Sequence, residues 1–153
     1  MKQPHGFTGK RLVGAGLIAL GLLFSSFALA NILSGSSTTN VSNDVAYTAL
    51  SLSKPSTAVA GDVLLANVSV NGGSPAVITA PTGWVSIART DNDTNISVAS
   101  YYKVVSGSEP TSYTWTISPQ THAVGGITDY TGVDTTNPID AVGSSTGRGA
   151  VLT

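Results

Sequence analysis

The chain of 153 residues contains no cysteine. A disulfide framework, a thiolate metal site and a thiol nucleophile are therefore excluded, and stability must come from apolar burial and backbone pairing. Ionisable side chains are also sparse, because Asp, Glu, Lys and Arg together make up 10% of the sequence. Glu109 is the only glutamate, and His122 is the only histidine after residue 30. This composition gives little support to a glycosidase with paired glutamates or to a multi-histidine zinc site.

The sequence also contains no motif for nucleophilic catalysis. A Ser-His-Asp triad needs a histidine base that is oriented by an acid and lies beside an activated serine. Serine is frequent in this chain, but none lies in a G-x-S-x-G elbow. We interpret His122, at the start of a predicted strand, as a structural residue. We expect no catalytic residues, no cofactor and no enzymatic activity.

Helical periodicity is absent after residue 45, where no stretch keeps apolar residues at i, i+3, i+4 and i+7 for three turns. The sequence instead alternates short segments rich in Thr, Val and Ser with turns rich in Gly, Pro and Asn. Strands are predicted at 45–52, 62–70, 84–89, 96–105, 113–117 and 122–130. Such spacing favours an all-β fold, an antiparallel β-sandwich of jelly-roll-like or immunoglobulin-like type, since parallel pairing would require crossover helices.

Two of these strands show strict alternation of apolar and polar residues. Segment 62–70 places on one face Leu64, Ala66, Val68 and Val70. Segment 113–117 places on one face Tyr113, Trp115 and Ile117. We expect Trp115 in the core together with one of the adjacent tyrosines, Tyr101 or Tyr102. The pair Gly125-Gly126 inside a strand predicts a bulge or a close approach of another backbone.

The first thirty residues differ in kind from the rest. Lys2, Lys10 and Arg11 precede an uncharged apolar run, which ends with small residues at Ala28 and Ala30. This order is typical of a secretory signal peptide, with Ala28 and Ala30 read by the signal peptidase and cleavage after residue 30. The alternative is an uncleaved membrane anchor, because the uncharged run extends beyond residue 30 to about the 20 residues that a spanning helix needs.

In both cases the remainder of the chain is expected to be exported, to the extracellular space or the cell surface. After residue 30 four basic residues face all eight acidic ones, a net charge of −4. This balance disfavours nucleic acid, whose binding depends on Lys and Arg. Contact with a membrane is expected only through the N-terminal segment, if it is not cleaved. The small polar residues at 31–44 predict a flexible linker before the sandwich domain at 45–153.

The segment "RTDNDTNISV" carries oxygen-bearing residues at alternate positions, Asp91, Asp93 and Asn95. That spacing resembles the start of a calcium loop. However, an EF-hand-like loop needs Gly at the sixth position and an acid at the twelfth, and here Ile96 and Tyr102 stand there. We therefore interpret the segment as a hairpin turn, and a looser calcium site at these residues is the alternative. No other metal site is predicted.

Two other groups of residues could bind a ligand. Exposed aromatic residues could form a sugar platform, with Trp84, Tyr101 and Tyr102 as the main candidates, although core packing explains each of them. The segment 129–140 carries Asp129, Asp134 and Asp140 among turn residues. It predicts a long polar connection, with a cation loop as the alternative.

Several short motifs follow one another in a fixed order, "GDVLLA", "P-x-GW", "YYKV", "SEPTSYTW" and "YTGVDTTNPID". In this order they resemble a non-enzymatic β-sandwich module that recurs in secreted and cell-surface proteins of bacteria and phages. The resemblance covers about 45–147. It implies a sandwich without catalytic residues, and also a second half that is missing here, so that the domain at 45–153 would be incomplete.

The sequence therefore favours a non-catalytic, extracellular structural or adhesive β-sandwich module. Its mechanism would be display of a polar Ser/Thr face and of the loops at the sandwich ends towards an unknown surface polymer or protein. The alternative function is a carbohydrate-binding module, assisted by calcium.

Overall fold

The computed structural model describes residues 31–41 and 46–145. The predicted signal segment, including Ala28 and Ala30, lies outside these residues. Within the two described ranges no helix has the length and apolar character required to cross a membrane.

The described chain forms eight β-strands and no helix. They are β1 (Leu33–Val41), β2 (Tyr47–Ser53), β3 (Val63–Asn71), β4 (Val77–Thr79), β5 (Val85–Asn92), β6 (Ile96–Val104), β7 (Ser112–Thr121) and β8 (Ala123–Thr131). All six predicted strands are present, as β2, β3, β5, β6, β7 and β8, with boundaries that differ by a few residues. The prediction of an all-β fold is thereby confirmed.

The strands form two antiparallel sheets. The larger sheet has the order β1-β8-β3-β6-β5, and the smaller sheet has the order β2-β7-β4. The pairing is nested, because the first strand pairs with the eighth, the second with the seventh and the third with the sixth. Two antiparallel sheets with a shared apolar core agree with the predicted sandwich.

The predicted flexible linker at 31–44 is wrong for most of its length, since β1 occupies 33–41 and pairs with β8 along the edge of the larger sheet. The sequence gives little sign of this strand because its residues are small and polar. Its pairing needs only the backbone, and its side chains bond to the other sheet. Thr38 Oγ1 donates to the Ser53 carbonyl, and Asn40 Nδ2 donates to the Ser51 carbonyl at 2.8 Å. β1 therefore satisfies polar groups along β2 that would otherwise face solvent.

β4 was also not predicted from the sequence. It has three residues, pairs with β7 and brings Ile78 against the core. A strand this short, between a glycine-rich turn and Pro81, carries too few residues to show an alternation.

The core lies between the sheets around Trp115, which is fully buried. The ring centroid of Trp84 is 5.0 Å from that of Trp115 and 5.1 Å from that of Tyr113, and the ring of Tyr101 lies 6.0 Å from Trp115. The predicted apolar faces of 62–70 and 113–117 are both buried. The expectation that Trp115 and one of the two adjacent tyrosines lie in the core is confirmed, with Tyr101 as that residue.

Gly125 of β8 faces this core, where the two sheets come close together. A Cβ atom at Gly125 would lie 2.9 Å from the Asn67 carbonyl oxygen and 2.9 Å from Leu50 Cδ2. The predicted close approach at the glycine pair is therefore confirmed. The missing side chain allows Leu50 of β2 to pack directly against the backbone of β8.

Replacing Gly125 with alanine is expected to destabilise the fold by about 1–3 kcal/mol, because the new methyl group overlaps a backbone oxygen that cannot easily move. Urea unfolding followed by tryptophan fluorescence measures the change. Gly107→Ala is the matched control, since a Cβ there meets no atom within 4 Å. Equal stability of the two variants would contradict the packing role of Gly125.

Candidate functional site

Ten charged residues lie in the described ranges, and the strand register turns none of them outward from either sheet. They lie on the inner side or in the end loops and the final segment: Lys54, Asp62, Arg89, Asp91, Asp93, Lys103, Glu109, Asp129, Asp134 and Asp140. The site can therefore be sought in two places. One is the set of bonded charged groups at the sandwich ends, and the other is the uncharged surface of the sheets.

The residues predicted as a possible calcium loop form the turn between β5 and β6. The Asn95 N–H donates to the Asn92 carbonyl at 3.0 Å, and Asp93 has a left-handed backbone with φ of 51°. The Asp93 carbonyl accepts the Ser74 N–H at 2.7 Å, which ties this turn to the loop before β4. These contacts agree with the interpretation of the segment as a hairpin turn.

The carboxylate of Asp91 points to the inner side of the sheet. It accepts hydrogen bonds from Arg89 Nε at 2.8 Å and from the hydroxyl of Ser97. The hydrogen bond from Ser97 and then the one from Arg89 lower the pKa of Asp91 below its ordinary value. Since its charge is already paired with Arg89, Asp91 is occupied by contacts within the protein. Among the residues that the structure describes, no group of three or more His, Asp or Glu side chains is placed to hold a metal ion.

Arg89, which the sequence did not single out, anchors the loop before β4. Its Nη2 donates to the Ala76 carbonyl at 2.6 Å, to the Gly73 carbonyl at 3.2 Å and to Ser97 Oγ at 3.1 Å. The only sequence signal was an arginine at an inward position of a strand, two residues before an aspartate. Its role is to hold the loop in place.

The candidate sugar platform is divided between the core and the surface. Trp84 and Tyr101 are buried, with exposed fractions of 9% and 6%. Tyr102 follows Tyr101 in β6 and therefore points out of the opposite face of the sheet. The three residues do not share one exposed surface, so they do not form a platform for a sugar ring.

The three aspartates of segment 129–140 are also separated. Asp129 is fully buried at the end of β8, whereas Asp134 and Asp140 are exposed. Asp134 Oδ1 accepts the Thr136 N–H at 2.8 Å, which is turn chemistry. Asp134 thus forms a turn, and the connection between sheets predicted for 129–140 stays a prediction, because no strand follows this segment within the described residues. His122 is exposed beside Val41, Asn71 and Val124, and no acid lines the shallow depression that they share.

Glu109 forms a bonded cluster at one end of the sandwich. Its Oε1 accepts the Ser106 N–H at 2.8 Å and lies 3.3 Å from Lys103 Nζ, and its Oε2 accepts the Tyr113 hydroxyl at 3.0 Å. Burial raises the pKa of Glu109, but the hydrogen bonds from Ser106, Tyr113 and Lys103 outweigh burial and hold the pKa below its ordinary value. Burial and the bond to Glu109 raise the pKa of Tyr113. This cluster fixes the loop between β6 and β7.

Asp129 and Asp62 place two buried carboxyl groups near each other. Asp129 Oδ2 accepts the Thr57 hydroxyl at 2.8 Å, and Asp62 Oδ2 accepts the Val59 N–H at 2.8 Å. Asp129 Oδ1 has no hydrogen-bond partner among the described residues. Burial, opposed in part by the bond from Thr57, raises the pKa of Asp129, and the charge of Asp62 raises it further. The pair holds the loop before β3 against β8.

The outer face of the larger sheet combines apolar side chains with small polar ones. The register places one residue of each of the five strands in a single row, namely Val41, Val124, Ser69, Val98 and Thr90. Val41, Val124 and Val98 are 51%, 45% and 42% exposed. Ile96 and Val85 add further exposed apolar surface on the same side. At the opposite end of this face a depression is lined by Ile32, Val63, Leu65, Tyr130, Val133, Pro138 and Ile139.

The outer face of the smaller sheet has a different character. The register turns outward a set of hydroxyl-bearing residues on neighbouring strands, namely Ser51, Ser53, Thr79, Ser112, Thr114, Thr116 and Ser118. They are exposed, and Thr114 Oγ1 donates to Ser51 Oγ at 3.3 Å. The two outer faces are therefore both uncharged, but only the larger sheet presents a row of exposed valines.

No protein-family model, no curated protein and no solved structure matches this chain. The assignment of a function therefore rests on the geometry described above.

Asp129→Asn is expected to gain stability relative to the native chain as the pH rises. A carboxyl group whose pKa is raised by folding stabilises the protein below its unfolded-state pKa, and this contribution is lost as the pH rises through the folded-state pKa. Asparagine keeps the acceptor for Thr57 and does not ionise. Thermal unfolding between pH 3 and pH 8 gives the slope, with Asp140→Asn as the control for removal of a charge at an exposed position. Parallel pH profiles of the native chain and the Asp129 variant would contradict the proposed effect of burial.

Glu109→Gln is expected to show the opposite pH dependence. Because folding lowers the pKa of Glu109, its stabilising contribution is present above the unfolded-state pKa and is lost as the pH falls through the folded-state pKa. The variant should be less stable than the native chain near pH 7 by about 2 kcal/mol, since charge-assisted hydrogen bonds are lost. The difference should shrink towards pH 3. Urea unfolding at both pH values measures it, and a difference that stays constant with pH would exclude the ionised state of Glu109 as its source.

Proposed function

We propose that the chain is a non-catalytic structural and adhesive β-sandwich module, exported to the cell surface or the extracellular space, which acts by contact through the outer face of its larger sheet. The observation that carries this proposal is the row of exposed valines, Val41, Val124 and Val98, on a face whose five strands turn no charged side chain outward. An uncharged face with exposed valines is suited to contact with another surface.

The bonded charged groups support a non-catalytic role. Asp91, Glu109 and Asp129 all accept hydrogen bonds from residues that position loops, so each has a structural task. A catalytic acid or base needs to reach a substrate in a concave pocket, and these groups lie at the junctions between strands and loops. These hydrogen bonds hold the loops in place at the ends of the sandwich.

The nested pairing of strands supports a jelly-roll-like fold. In such a fold a long antiparallel hairpin winds into two sheets, which brings strand 1 beside strand 8, strand 2 beside strand 7 and strand 3 beside strand 6. These three pairings occur here, and they favour the jelly-roll-like over the immunoglobulin-like sandwich. β5 differs from that scheme, because it extends the larger sheet by pairing with β6. A relationship to the recurring bacterial and phage module stays a proposal, supported by the quoted sequence motifs alone.

Adhesion through this face is tested with beads that carry the full-length chain and are washed over the cells that produce it. The fraction of beads retained under flow is measured. In Val98→Lys/Val124→Lys two lysines stand on the outer face of the larger sheet, and retention is expected to fall at least about five-fold, because each lysine must lose its hydration on contact. Val77→Lys is the matched control, since Val77 is 56% exposed and points outward from the smaller sheet.

Retention that is equal for all three chains would overturn the proposal that this face makes the contact. Retention that falls equally with Val77→Lys would show a general effect of added charge and would also overturn it. Circular dichroism of each variant establishes that the fold is intact, as expected for substitutions at exposed positions.

A further inference from the structure

The partner of the outer face can be inferred from its chemistry. We infer that the outer face of the larger sheet binds the same face of a second copy of this chain, in a two-fold symmetric, sheet-on-sheet contact. This inference rests on the proposed function and names the partner that the function requires.

Charge favours a second copy over other partners. A positively charged polymer would find little opposite charge on this face, because its strands turn no charged side chain outward and the exposed Asp134 and Asp140 belong to the segment that lines the depression at its far end. A sugar ring finds no pair of exposed aromatics, since Trp84 and Tyr101 are in the core. A second copy brings an identical uncharged face, so two copies, each of net charge −4 after residue 30, can meet there without placing like charges opposite each other.

The side chains on this face are also shaped for sheet-on-sheet packing. Its central residues are short, and Ser100 Oγ donates to Asn67 Oδ1 at 2.6 Å, so two polar groups in the middle of the face already satisfy each other. Burying them therefore leaves fewer unpaired groups. Stacked sheets pack about 10 Å apart through side chains of this size, with the strands of the two sheets roughly aligned.

The available area matches a weak but specific interface. Five strands at a spacing of ~4.8 Å, with about seven residues each at ~3.3 Å, give a face on the order of 500 Å² per copy. Because part of this face beside Leu65 and Tyr130 already contacts the final segment, two faces together bury at most about 1,000 Å², which lies in the range of weak contacts. Such a contact is weak for one pair of molecules, and many copies on two opposing surfaces strengthen it by multivalency.

The smaller sheet is less suited to the same contact. Thr114 and Ser51 bond to each other on its outer face, but its other outward hydroxyl groups, such as that of Thr116, would lose water on burial. Apart from Val77 and Tyr47 at its margins, its strands expose no large apolar side chain in the described residues. The larger sheet is therefore assigned as the interface and the smaller sheet as the hydrated side.

The absence of cysteine allows a cross-linking test without background. Ser69→Cys places one thiol in the central strand of the outer face, between Val124 and Val98 in register. Thr114→Cys places one thiol at the centre of the smaller sheet as the control. With the full-length chain and a short bis-maleimide reagent at about micromolar protein, Ser69→Cys is expected to give covalent dimers at least about five-fold more than Thr114→Cys. Equal yields, or no dimer from Ser69→Cys, would overturn the inference.

Complementary charges test whether the two faces meet. The full-length chain with Val98→Lys/Val124→Lys and the chain with Val98→Glu/Val124→Glu should each fail to dimerise, because like charges then oppose each other. An equal mixture of the two should form a mixed dimer, measured by sedimentation of differently labelled chains. Failure of the mixture to associate, with both chains folded, contradicts face-to-face contact.

The bead assay separates this inference from the proposed function. Beads carrying the native chain should be retained by cells that produce the chain. Cells in which its production is abolished should retain these beads about as poorly as they retain bare beads. If both kinds of cell retain the beads equally and Val98→Lys/Val124→Lys abolishes this retention, a second copy is excluded as the partner. Adhesion through this face would then still stand. Absence of any dependence on these residues defeats both.

Discussion

The contact on which the structure depends is the burial of aromatic rings between two sheets that no disulfide bond joins. Trp115 is fully buried. The ring centroid of Trp84 lies 5.0 Å from that of Trp115 and 5.1 Å from that of Tyr113. Each buried aromatic side chain removes some 150–250 Å² of surface from water, and few other side chains in this chain can do so. The glycine at position 125 belongs to the same contact, because it lets Leu50 come close enough to complete the core.

Once the aromatic core holds the sheets together, the charged residues are free for another task. Several of them bond to loops between the strands. Arg89 bonds to the loop before β4, Glu109 to the loop after β6, and Asp129 to Thr57 in the loop before β3. The opposite directions of the pKa shifts of Glu109 and Asp129 follow from their surroundings. Glu109 receives several donors, whereas Asp129 receives one and lies near a second carboxyl group.

Much of the fold follows from the period of two in the sequence, because the residues that bury the core alternate clearly in β3 and β7. The strands that the sequence did not predict are those that contribute little to that core. β1 is held by its backbone and by Thr38 and Asn40, whose polar side chains look like those of a linker. β4 is too short for any period to appear. A polar edge strand such as β1 therefore has the composition of a linker. It differs from a linker only in the strands that it contacts, and these contacts cannot be read from a single sequence.

The candidate site shows a similar division. The sequence correctly gave the turn character of Asp93 and Asn95, because turn chemistry is local. It did not reveal that Arg89 reaches a loop 13 residues earlier, since that contact depends on the tertiary fold. The outer face of the larger sheet could be predicted from the sequence only in part. Its residues can be read from alternation once the strands are known, yet the row of Val41, Val124 and Val98 forms only when β1, β8 and β6 are placed around β3. Strand order turns scattered valines into one surface, and the same order leaves no charged strand residue on that surface. Both properties come from one arrangement, so a substitution that adds charge to the face tests the contact without disturbing the core beneath it.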